Sequence, residues 1–194
     1  MEAHQVSAKL FVEAGRDGGG VAPMDFINAF HDWIRTSALD ELLIDVTDYS
    51  HVHHGPGVLL LTHEGQYGMD EAQGRLGMLY LRKRDEPGAL ADKLRETLRR
   101  TFTAARLLEQ ELAGRIVFRG DELLVRVHSR LLAPNDAATR SAARAELDAV
   151  AAALYAGVPT QVEHEVDPKQ LFAVRLKSSE NPRVQTLLER LTPA

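Results

Sequence analysis

The sequence predicts an α+β fold: an antiparallel or mixed sheet of hairpins, covered on one face by three long helices and a short C-terminal helix. Three observations lead there. Short runs rich in branched residues are separated by glycine and proline turn chemistry. Longer segments between them carry apolar residues at steps of three and four. Hydrophobic residues make up 44% of the 194-residue chain and charged residues 26%, the balance of a chain that folds around a packed core.

Residues 9–13 read as a short strand, and 15–20, with Gly18, Gly19 and Gly20 in succession, as a loop. A helix starts at Pro23, because proline suits a first turn and Phe26, Ile27, Phe30, Trp33 and Ile34 recur at helical spacing. Residues 42–49 and 58–63 form two strands around the turn His54-Gly-Pro-Gly57, so a hairpin is expected. Residues 65–74 form a polar loop, and 75–82 a third strand.

The longest helix spans 89–112, with Leu94, Leu98, Phe102, Ala105, Leu108 and Leu112 along one stripe. Two strands follow, 115–119 and 122–131, around Gly120-Asp121. The second alternates Leu123, Val125 and Val127 with Leu124, Arg126 and His128. Pro134-Asn-Asp136 caps a third helix with Ala143, Leu147, Val150, Ala151 and Leu154 inward. Strands at 160–166 and 171–176 precede a terminal helix capped by Asn181-Pro182. The order helix-strand-strand therefore repeats three times, from near residues 23, 89 and 136. Residues 1–194 read as a single domain, with 85–88 as the one seam between lobes.

Composition narrows the function. The net charge of −5 argues against general nucleic-acid binding, which needs a basic footprint. Residues 82–106 hold eight Lys and Arg against four acids (85, 86, 92 and 96), a pattern expected of a solvated helix face. With no cysteine, thiolate metal sites, iron–sulfur clusters and thiol nucleophiles are excluded. No secretory pattern opens the chain and no apolar run nears the ~20 residues of a membrane span, so a soluble, cytoplasmic protein without a membrane partner is expected. No phosphate-binding glycine loop, dinucleotide fingerprint, nucleophile elbow or His-Glu-x-x-His pair occurs, and no cofactor is expected.

Chemistry-bearing residues gather at His51, His53, His54 and His63, four of the eight histidines, followed by Glu64, Tyr67 and Asp70. In the expected hairpin His63 lies opposite Asp48, close enough for the carboxylate to orient the imidazole. The competing reading is a polar contact at the edge of an apolar face. His51 and His53 share a face, but His63 falls on the other, which leaves a metal short of ligands, and no metal site is assigned. Tyr67 and Asp70 in the 65–74 loop, with Arg75 at its end, could hold a ligand, against the plainer reading of an ordinary connection.

Three functions follow from these features. The first is a small-molecule-binding or regulatory domain with Tyr67, Asp70 and Arg75 in the pocket. The second is an enzyme using His63 with Asp48 or Glu64 as acid/base, with or without a metal. The third is an interaction module or homo-oligomer, motivated by the alanine-rich third helix, which permits close approach to the sheet or to a second copy.

Overall fold

The computed structural model describes residues 3–13, 20–52, 55–85 and 87–191. Among these residues, eight strands form one antiparallel sheet and four helices pack on it. The elements run β1 (Val6–Val12), α1 (Pro23–Thr36), β2 (Leu43–Tyr49), β3 (Gly57–Thr62), β4 (Gly65–Asp70), β5 (Gly77–Arg82), α2 (Leu90–Glu111), β6 (Phe118–Val127), α3 (Ala137–Leu154), β7 (Thr160–His164), β8 (Phe172–Ser178) and α4 (Val184–Leu191). The spatial order is β2-β3-β4-β5-β1-β6-β8-β7, which puts the first strand in the middle.

Strand alternation divides the side chains between two faces. β1 sends Val6, Ala8, Leu10 and Val12 into the main core, where they meet Phe26, Phe30 and Trp33 of α1 and the α2 stripe. Phe11, Leu124 and Ala173 form a separate small cluster on the opposite face. The helices therefore cover one face and leave the other to loops. The expected stripes hold: Leu94, Leu98, Phe102, Ala105, Leu108 and Leu112 are all buried, as are Ala143, Leu147, Val150, Ala151 and Leu154.

The helix starts are built from side chains. Asp25 accepts the backbone N–H of Ala22 ahead of Pro23, and Asp136 accepts that of Thr139. Glu146 of α3 accepts the N–H of Ala91, so one helix caps the start of another. The alanine-rich α3 packs on α2, α4 and β7 of its own chain. Much of the basic charge of 82–106 is matched locally, by Asp92 with Arg95, Glu96 with Arg99 and Arg100, and Asp85 with Lys93.

Three expectations change. The helix-strand-strand repeat does not hold, because four strands follow α1, one follows α2 and two follow α3; α1, with 14 residues, is also short beside the 22 of α2. The expected 65–74 loop is strand β4 from Gly65 to Asp70, followed by a 3-10 turn at Ala72–Gly74. Its glycines conceal a strand because they allow close packing: a Cβ on Gly65 would sit 2.3 Å from the Leu81 carbonyl of β5, and one on Gly68 would sit 2.6 Å from a Leu59 methyl of β3. Finally, Gly120-Asp121 is not a turn. β6 runs straight through it, and the extra residues are absorbed by a register shift against β1 between Leu10 and Val12. The seam at 85–88 falls on the β5–α2 connection, and α2 packs on β1, β5 and β6 alike.

Gly120 also marks where α4 docks. A Cβ there would run into the carbonyl of Pro182 and crowd Leu187, while the Tyr155 hydroxyl donates to the Gly120 carbonyl. Gly120→Ala should cost about 1–3 kcal/mol of stability by overpacking. Urea unfolding checks this, and an unchanged midpoint would mean that the 181–183 segment is not pressed against β6.

Candidate functional site

The chemistry collects on the face without helices. There β1 presents Ser7, Lys9 and Phe11, β4 presents Asp70, β6 presents Glu122, Leu124 and Arg126 with His128 just past its end, and β8 presents Ala173 and Arg175. Lys9 is only 2% exposed. Its ammonium donates to Asp70 Oδ2 at 2.6 Å, to the Arg75 carbonyl at 2.6 Å and to the Ala72 carbonyl at 3.5 Å. Burial lowers the Lys9 pKa, and the contacts with Asp70 oppose that shift.

Those bonds draw the 71–76 connection over Phe11. The Arg75 guanidinium stacks 3.8 Å from the Phe11 ring centre, with Arg175 on the same ring at 5.4 Å. Arg75 also makes a two-pronged contact with Glu122 at 2.7 and 2.8 Å, and Arg175 donates to the same carboxylate. Burial pushes the Glu122 carboxyl upward, but the two guanidinium groups outweigh it and hold the carboxyl down at about 2.

Next to this network lies a cavity of about 320 Å³, lined by Leu124, Arg126, His128, Glu163, Ala173 and Arg175 among others, and bounded by the connection after β7. His128 shares a 2.8 Å hydrogen bond with the buried Ser7 hydroxyl. Burial, with Arg126 alongside, lowers its pKa to about 4, so the imidazole is neutral at pH 7.

The expected site residues are distributed differently. Asp70 and Arg75 do come together, through Lys9. Tyr67 does not join them: strand alternation turns it to the helix face, where its hydroxyl donates to Glu41 and its ring lies 4.6 Å from that of Tyr80. Glu41 also takes Arg100 at 2.6 Å, and burial followed by the Glu41 charge pushes the Tyr67 hydroxyl pKa up.

His63 and Asp48 lie at opposite ends of the hairpin. Asp48 faces Val58, because the β2–β3 connection runs from Ser50 to Pro56 and is longer than the expected turn. His63 and Glu64 form the two-residue link between β3 and β4, with the imidazole 4.0 Å from the Glu64 carboxylate and both groups partly exposed. Hydrogen bonding from the Ser50 side chain, and then from the Ser50 N–H, lowers the Asp48 pKa. His51 lies in the β2–β3 connection, whereas His53 and His54 lie outside the described residues. Among the described residues, no three His, Asp or Glu side chains gather as metal ligands.

The sequence reading missed Lys9, Glu122, Arg126, His128 and Arg175 as a group. One signal was present in the polar side of the alternation in β6, Leu124-x-Arg126-x-His128. What it faces depends on the long-range pairing of β6 with β1 and β8.

Comparison with known proteins gives no match to a family model, a curated protein or a solved structure. No helix among the described residues is long and apolar enough to cross a membrane.

Lys9→Met leaves the Asp70 carboxylate buried without its cation, and should cost about 3–5 kcal/mol. Adding Asp70→Asn should recover part of the loss in a double-mutant cycle of unfolding free energies. A Lys9→Met loss below about 1 kcal/mol would show that the ammonium is not what closes this face.

His128 sets a pH dependence. Its folded-state pKa lies below the unfolded value, so the stability it contributes is complete above about 6.5 and is lost as pH falls towards about 4. The loss reaches about 3 kcal/mol at most, and His164, lowered by burial and then by Arg140 and Arg144, acts in the same direction. Unfolding measured from pH 7 to pH 4 should show a shallower decline for His128→Gln than for the wild type; equal slopes would refute the assignment.

Proposed function

We propose that this chain is a small-molecule-binding or regulatory domain whose ligand occupies the cavity on the helix-free face. One observation carries the reading. An open space of about 320 Å³ has an apolar wall from Leu124, Leu171 and Ala173, and polar groups from Gln73, Arg126, His128 and Arg175 point at it from separate strands and loops. That combination, and a volume at the lower end of the about 300–1,000 Å³ range, is what small-ligand pockets offer. A second hollow of about 550 Å³ over Arg119, Asp121 and Lys177 lacks it. Its charges are already engaged, Arg119 with Asp121 at 2.6 Å and Lys177 with Glu163 at 2.8 Å.

The reading retains the binding role expected for Arg75 and Asp70 but makes it indirect. Both hold the wall beside the cavity through Lys9 and Glu122 and do not line the cavity themselves. Backbone amide mapping with a fragment library of mixed charge tests the reading. Shifts should cluster at Leu124, Leu171 and Ala173, and Ala173→Trp, which fills the space, should abolish them while the rest of the spectrum stays native. Shifts centred elsewhere, or fragments that bind Ala173→Trp equally well, would overturn it.

A further inference from the structure

We propose that the ligand of this cavity is an organic oxyanion, a carboxylate or phosphate monoester with an apolar group, and that Arg126 is the residue that holds it. The inference rests on the binding reading above and names its chemical class. The other cations of the helix-free face are paired. Lys9 has Asp70, Arg75 and Arg175 share Glu122, and Lys177 has Glu163. Arg126 stands between Ser7 of β1 and Ala173 of β8, and makes no hydrogen bond or ion pair with a described residue.

Its surroundings make that absence informative. Arg126 is partly buried on the cavity floor, and burial moves its pKa down; Asp70 and Glu165 oppose that shift while Arg175 reinforces it. A partly desolvated guanidinium beside a second one, with no carboxylate bonded to it, leaves its donors available to an anion. The guanidinium fork is shaped for the paired oxygens of a carboxylate or phosphate.

The rim carboxylates do not bond the Arg126 guanidinium, although the Glu165 charge, like that of Asp70, favours its charged form. Glu163 is engaged by Lys177 and Gln161, and Glu165 accepts the backbone N–H groups of Val166 and Asp167. Beyond Arg126 the lining turns apolar, through Leu124, Ala173, Leu171 and Val166. Val166, part of that lining, is 80% exposed.

A matched probe series tests the class. Hexanoate, hexyl phosphate, hexanamide and hexylamine share one tail and differ in the head, and each is titrated against the whole chain by amide chemical-shift mapping. Hexanoate or hexyl phosphate should bind at Leu124 and Ala173 at least tenfold more tightly than the amide or the amine. The stronger of the two identifies the head as carboxylate or phosphate. Arg126→Met should remove that preference, and the anion's affinity for the wild type should fall as salt is raised. Because Arg126→Met could perturb the fold, the salt dependence of the wild type serves as a second criterion. Hexanamide binding as well as the anions would overturn the oxyanion class and leave the cavity reading standing. Shifts from no probe at Leu124 or Ala173 would overturn both.

Discussion

The ammonium group of Lys9 closes the side of the sheet that no helix covers. β1 is the central strand and is buried along its whole length, so its outward side chains need a cover as much as its inward ones. A charge in that position is tolerable only with its hydrogen bonds complete. The acceptors all come from Asp70 and the turn that follows it, and that requirement folds the 71–76 segment across the face. Arg75 then rests on Phe11 and reaches Glu122, and Glu122 reaches Arg175. A single chain of charges thus runs from β4 to β8, and its last member, Arg175, lines the cavity.

The helix face holds a smaller polar counterpart. Glu41 sits between the Tyr67 hydroxyl and Arg100, with only 2% of its side chain exposed, and ties the end of the α1–β2 connection to α2 and β4. Within β4 alone, Tyr67 serves this buried network and Asp70 the opposite one. Two residues three positions apart in one short strand therefore belong to different polar systems, separated by the thickness of the sheet.

This division explains which parts of the fold were legible in the sequence. The helices were, because a stripe such as Leu94-Leu98-Phe102-Ala105 is periodic over many turns and needs no knowledge of its partner. The strands with branched residues were legible for the same local reason. β4 was not, since Gly65, Gly68 and Asp70 resemble a loop until the closeness of Leu59 and the pairing with β5 are known. The histidine stretch attracted notice by composition, yet its geometry hung on the length of one connection, and the pairing of Asp48 with Val58 separates it from His63. Asp70 and Arg75 were found as candidates, while Lys9, Glu122 and Arg126 lie far from them in sequence and meet them only through the order β5-β1-β6-β8.

That order also bears on how the chain is made. β1 is translated before both of its neighbours, so the segment Val-Ser-Ala-Lys-Leu-Phe-Val has no sheet partner until residues 77–81 are made and lacks its second until 118–127 follow. An apolar strand left waiting in water invites pairing with another nascent chain. Lys9 interrupts it at the centre. Fully charged while the strand is solvated, the same ammonium that later anchors the loop first acts as a gatekeeper against premature association.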